Sequence, residues 1–249
     1  MKNKKLTLSI GILVLVLILG GFLAYGYYQK ATFKITRPLV SMEIEGYGTV
    51  KMELYPDMAP NTVKNFIKLI KEGYYNGLKF HRVEESLIQG GDKVGYGVEK
   101  IEHSIKGEFS RNNYKENTLI FERGTLGLAR EDYSQFSTID ASLIGEGYDS
   151  GYAQFFIMLK DEAAFNGYYA AFGKVVEGIE IVEQISKLET KVETDEETGE
   201  STKTTEPVNS PVITNMTVDT FGVEYGEPEV KDKFDINSFI MEKLYGISY

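Results

Sequence analysis

The side chains able to do chemistry are few and closely grouped. Arg82 stands in the run Phe80-His81-Arg82-Val83, and Gln89 follows in Ile88-Gln89-Gly90-Gly91-Asp92, so a guanidinium and a side-chain amide lie among apolar residues. A lone arginine is ordinarily a surface ion-pair residue, and a glutamine in such a run can simply satisfy buried backbone groups. His81 and His103 are the only imidazoles, and there is no cysteine. That excludes a thiol nucleophile, a disulfide scaffold, a Cys-ligated zinc and a lipid-modified cysteine anchor. Strand alternation points His81 away from Arg82 and makes it a hydrogen-bonded core histidine. His103, Glu84 and Glu85 read as solvated, because nothing fixes a ligand set or a carboxylate pair. Gly90-Gly91 reads as a turn, since no Lys-Ser/Thr and no helix start follow it as a phosphate cradle requires.

Elements that could position these residues are legible by period. Met42 and Ile44, then Val50, Met52 and Leu54, alternate around Gly46-Tyr47-Gly48, which predicts a hairpin with one buried face. Pro60 opens a helix whose apolar positions are Val63, Phe66, Ile67 and Ile70, and Gly73 follows its last turn. Short apolar runs recur at 78–83, 87–89, 124–129, 154–159, 170–176 and 212–218, and a second helix is expected over 179–185. Many short strands with few helices predict a barrel or sandwich. Two stretches read as additions to this core. Residues 130–152 form a long polar connection without periodicity, and 187–206 reads as a solvated hairpin tip or mobile loop. Phe234, Ile236, Phe239, Ile240 and Leu244 space a short amphipathic helix in the tail.

The chain of 249 residues carries 27 Lys+Arg against 37 Asp+Glu, a net charge of -10, which argues against nucleic acid as a partner. Lys2, Lys4 and Lys5 precede an uncharged stretch whose section 6–24 is dense in Leu, Ile and Val. As a helix that section reaches ~28 Å, close to the ~30 Å hydrocarbon core of a bilayer. It is a membrane span or a signal peptide. Its length favours an uncleaved anchor, while Ala24-Tyr25-Gly26 offers small residues that a signal peptidase can read. In either case the remainder is expected outside the cytoplasm, with the lysines left inside.

Taken in order, Phe80-His81-Arg82-Val83, Ile88-Gln89-Gly90-Gly91-Asp92, Arg123 to Arg130, Ala153-Gln154-Phe155-Phe156-Ile157, Phe165-Asn166-Gly167 and Phe172-Gly173-Lys174-Val175 closely resemble the cyclophilin family of peptidyl-prolyl isomerases. The resemblance spans about residues 38–220. It implies a mainly β fold, a closed antiparallel eight-stranded β-barrel capped by two α-helices, here with an N-terminal transmembrane helix. It also implies rotation about Xaa-Pro bonds in a groove on the barrel's outside. Arg82 matches the family's catalytic arginine, Gln89 the glutamine that holds it, and Phe156 the aromatic floor of the proline pocket. Phe80, Leu87, Ala129, Arg130 through its backbone, Gln154, Phe165 and Tyr169 fall at positions that the resemblance implies bind the peptide. Three departures accompany the match. The loop before Gln89 is one residue short and puts Ser86 where an aromatic lines the pocket, Tyr169 replaces a histidine, and Ala164 replaces the tryptophan that contacts cyclosporin in many eukaryotic members.

The reading is therefore an anchor over 1–30, a tether over 31–37, an isomerase domain over 38–222 with insertions at about 130–152 and 187–206, and a tail over 223–249. No cofactor or metal is expected. The expected partners are proline-containing polypeptides and, through the N-terminal helix, a membrane; the protein is expected to act as a monomer at a bacterial cell surface. The alternative is a catalytically weak peptide-binding or chaperone module with the same fold.

Overall fold

The computed structural model describes residues 14–25, 36–91, 102–194 and 200–246. Residues 14–25 are helical. The start of the expected membrane span, most of the tether and Asp92 lie outside the described residues. Among those described, no helix is long and apolar enough to cross a membrane. The chain divides into two units at Thr36, and the tail belongs to the second, Arg37–Tyr249.

The second unit opens with the expected hairpin. Strands β1 (Leu39–Ile44) and β2 (Gly48–Leu54) pair in the register that places Val40 opposite Met52 and Met42 opposite Val50, all fully buried. The turn needs glycine, since Gly46 and Gly48 both adopt positive φ (76° and 117°). Helix α1 (Pro60–Lys71) starts on its proline and buries Val63, Phe66, Ile67, Leu69 and Ile70. Its N-cap, Ala59, offers no side-chain oxygen. A residue far along the chain supplies the cap instead: the Glu108 carboxylate accepts from the Asn61 and Thr62 amides at 2.9 and 2.8 Å and from the Thr62 hydroxyl.

Strands β3 (Phe80–Val83) and β4 (Leu87–Gly90) follow, then the short β5 (His103–Ser104), β6 (Thr125–Leu128) and β7 (Phe155–Met158). Between β6 and β7 lies α2 (Leu143–Tyr148); after them come β8 (Ala171–Glu177), α3 (Ile179–Ile185), the hairpin β9 (Thr190–Thr194) and β10 (Ser201–Pro207), and β11 (Ile213–Asp219). The tail adds β12 (Lys231–Asp232) and α4 (Ile236–Tyr245). Eight strands make one antiparallel sheet in the order β11-β1-β2-β8-β6-β7-β4-β3. The sheet curls until its edges meet at a single bridge, Lys79 to Val212, beside hydrogen bonds that join residues 77, 78 and 80 to 211 and 213. The expected closed barrel is thus a curled eight-stranded sheet with a short seam in place of a full ladder. Phe66 of α1 packs its ring 5.0–5.5 Å from those of Tyr75, Phe155 and Phe172, and Val182 and Ile185 of α3 join the same core.

Both additions carry structure. The stretch expected to be an irregular loop over 130–152 contains α2 and buries Tyr133 and Leu143. The tail braces it: Lys231 of β12 lies 3.3 Å from the Glu146 carboxylate, Phe234 lies 6.1 Å from Tyr133, and Lys243 bonds Asp140 at 3.0 Å. The second addition is the β9–β10 hairpin.

Candidate active site

The outer face of the sheet is organised by one row of directly opposed residues. Arg82 on β3 pairs with Gln89 on β4, Gln89 with Phe156 on β7, Phe156 with Gly127 on β6, and Gly127 with Ala171 on β8. Directly opposed residues share a face, so the guanidinium, the amide and the aromatic ring point the same way. Two strand spacings, roughly 10 Å, separate Arg82 from Phe156. The row depends on a bulge. Phe80 pairs with Gly90 and Arg82 with Gln89, so His81 is an extra residue on β3. Regular pairing would set Arg82 against Ile88, which is fully buried. His81 is therefore half-buried at the bulge and not the core residue that simple alternation predicts.

Hydrogen bonds run along the polar end of the row. Arg82 Nη1 donates to Gln89 Oε1 at 3.1 Å, and Gln89 Nε2 donates to Gln154 Oε1 at 2.8 Å. Glu84, read from sequence as solvated, takes the other edge of the guanidinium, with Nε at 2.7 Å and Nη2 at 2.6 Å from its Oε1. Glu85 instead pairs with Lys160.

The apolar end is a cluster separate from the main core. Leu87, Phe121, Phe156, Met158 and Ala171 are buried together, with Leu119, Ala129, Phe165 and Tyr169 at its margin. Phe165 and Tyr169 stand edge-on to the Phe156 ring at 5.7 and 5.6 Å. Phe155, on the opposite face of β7, lies in the main core. Phe121 was not singled out from the sequence, yet it stacks on Phe156 at 5.6 Å and 27°. Its amide bonds the Asn166 side chain at 2.8 Å, which ties Phe165-Asn166-Gly167 to the pocket floor. The available signal was short alternation, with Leu119 and Phe121 turned in and Ile120 exposed.

One expected peptide-binding residue sits differently. Phe80 is fully buried in the main core, 6.2 Å from Phe155, because the bulge turns it and Val83 inward together. The Arg130 side chain, as distinct from the backbone expected to run along the peptide, bonds to its surroundings: Nε donates to the Tyr168 carbonyl at 2.8 Å, and the guanidinium lies 4.7 Å from the Tyr169 ring and 5.0 Å from Tyr148 of α2. It therefore props the pocket wall against the 130–152 addition. Gln154, Ala129 and Arg130 line, with Gln89, a cavity of about 150 Å³ beside the row. A larger cavity of about 700 Å³ lies between the tail and 130–152, and Arg82, Gln89 and Phe156 take no part in it.

The family model for cyclophilin type peptidyl-prolyl cis-trans isomerase matches residues 39–218. The chain belongs to this family. Peptidyl-prolyl cis-trans isomerase B of Bacillus subtilis (strain 168) is 35% identical over 144 residues, covering 57% of this chain and 87% of the relative. A peptidyl-prolyl cis-trans isomerase of Helicobacter pylori (strain J99) is 34% identical over 143 residues, 56% of this chain and 76% of the relative. Among solved structures, a Cryptosporidium parvum cyclophilin type isomerase aligns with a TM-score of 0.55 at 25% identity, over 74% of this chain and 98% of that one. The same Cryptosporidium protein has also been solved in the presence of the dipeptide Ala-Pro, and that structure aligns with a TM-score of 0.54. As a cyclophilin-type chain, this protein is a peptidyl-prolyl cis-trans isomerase.

Proposed function

We propose that this isomerase rotates Xaa-Pro bonds of exported polypeptides by arginine-assisted weakening of amide resonance, with proline seated against Phe156. The uncatalysed barrier is ~20 kcal/mol, and no bond is broken, so the catalyst needs only to favour the twisted amide over either planar isomer. Twisting localises the lone pair on the prolyl nitrogen. A guanidinium is a permanently charged donor that can meet that lone pair without giving up its proton. The observation that carries this reading is the row Arg82, Gln89 and Phe156 across three adjacent strands. Gln89 fixes the guanidinium on one side, and Gln154 extends the polar line along which a peptide backbone can bond. Leu87, Phe121, Phe165 and Tyr169 supply the apolar surround of the ring that receives proline.

A membrane tether follows from Lys2, Lys4 and Lys5 ahead of the uncharged run 6–24, which places the isomerase unit on the extracytoplasmic side. Ser86, in place of a pocket aromatic, favours a second reading in which the same groove binds and shields proline-containing peptides with little turnover.

Exchange NMR on short Xaa-Pro peptides, with the full chain and its Arg82→Ala variant, separates the two. Loss of about 100-fold or more in a folded Arg82→Ala supports arginine-assisted rotation. Peptide binding at the uncatalysed isomerisation rate in the intact protein supports the binding module.

A further inference from the structure

Arg82 is gripped from both sides, and only one grip comes from the residue expected to provide it. Glu84 lies two positions beyond Arg82, which in an extended chain puts its side chain on the same face. The turn that follows is tight: Val83 pairs with Ile88, and the Glu84 amide donates to the Leu87 carbonyl at 2.9 Å. That bond pins the Glu84 backbone at the end of the ladder. Its carboxylate then meets the Nε and Nη2 edge of the guanidinium while Gln89 holds Nη1. Both members are partly exposed, at 41% for Arg82 and 32% for Glu84, so the pair adds little to overall stability.

We propose that Glu84 is a positioning residue for Arg82, resting on the reading of Arg82 as the group that meets the prolyl nitrogen. A free arginine side chain carries several rotatable bonds, and ordering it during the reaction opposes catalysis. Held on two edges, the guanidinium keeps one N–H on each terminal nitrogen directed away from both grips, available as a pre-oriented pair. The carboxylate also offsets part of the positive charge, so Arg82 acts through the placement of its donors more than through net charge. The neighbouring Glu85 serves as an internal control because its carboxylate goes to Lys160, 2.6 Å away, and does not touch Arg82.

The test uses the full chain and its Glu84→Ala, Glu84→Gln, Glu85→Ala, Arg82→Ala and Arg82→Ala/Glu84→Ala variants, with two readouts. Isomerisation is measured by exchange NMR, and the Arg82 Nε–H resonance is followed for line width and solvent exchange. Positioning by Glu84 requires kcat/KM to fall at least about fivefold in Glu84→Ala, mainly through kcat, with partial retention in Glu84→Gln and no change in Glu85→Ala. It also requires that Glu84→Ala cost nothing further once Arg82 is gone, and that the Nε–H signal lose its protection. Unchanged or faster isomerisation in Glu84→Ala overturns the proposal, and so does a protected Nε–H in that variant. An intact protein without activity removes the isomerase mechanism itself, and the Nε–H signal then reports separately on whether Glu84 grips Arg82.

Discussion

Arg82 stands directly opposite Gln89 because His81 is an extra residue in β3. Phe80 and Val83 both face the core across only two intervening positions, an arrangement that regular alternation forbids. The bulge thus brings the one guanidinium of the row onto the outer face without exposing the strand's apolar residues.

On the proposed mechanism Arg82 donates without transferring its proton, so that isomerisation would need no titrating acid or base. The rate on Xaa-Pro peptides is expected to stay level between about pH 6 and pH 8, and His81→Asn is expected to leave that profile flat. A bell-shaped profile lost in His81→Asn would assign proton chemistry to the imidazole.

Gly127 lies under the Phe156 ring, and a Cβ at this position would overlap the ring. Gly127→Ala is expected to tilt Phe156, with a stability cost of about 1–3 kcal/mol. Peptide affinity is expected to fall about tenfold, the more informative loss. Denaturant unfolding and peptide titration of the same variant check both.

Glu108 caps α1 from a distance, and its removal leaves the Asn61 and Thr62 amides without their acceptor. Glu108→Ala is expected to destabilise the protein by about 1–3 kcal/mol in thermal unfolding. Burial pushes this carboxyl above its ordinary value, against the hydrogen bonds from Thr62 and Asn61 that pull it down. The native state therefore binds the proton more readily than the unfolded chain. Stability falls as pH rises from the ordinary carboxylate range through the shifted value and is level beyond it. The difference between the stability curves of the native protein and Glu108→Gln isolates that slope.

Asp140 is held at about 2 by the Ser142 amide and hydroxyl and by Lys243 of α4. A depressed carboxyl contributes in full above its ordinary value near 3.8 and loses its contribution as pH falls through about 2. Protection of the α4 amides, taken relative to their intrinsic exchange at each pH, is expected to fall across that window, and Asp140→Asn is expected to lower it already at neutral pH.

Where a pattern has a period, the sequence was readable: Met42, Val50 and Met52 mark the hairpin, and Val63, Phe66 and Ile70 mark α1. The groove residues Arg82, Gln89, Gln154 and Phe156 were legible as a constellation, and the structure brings them onto one face. The bulge at His81 has no compositional sign, so Phe80 was expected in the groove when it lies in the core. Helix α2 was hidden because six residues containing two glycines cannot display a helical period. Glu84 looked like any solvated glutamate, since its partner is fixed by the tight turn at Leu87 and not by residue type. Glu108 shows the same limit at longer range, capping a helix that begins almost fifty positions earlier.

The seam of the curled sheet also bears on the company this protein keeps. An open sheet edge offers unpaired amides and carbonyls to any extended chain that meets it. Here β3 and β11 are stitched to each other through Lys79 and Val212, and the β9–β10 hairpin lies alongside β3. A peptidyl-prolyl isomerase meets extended chain as its substrate, and the seam leaves less of the edges of β3 and β11 open to pair with that chain as a strand.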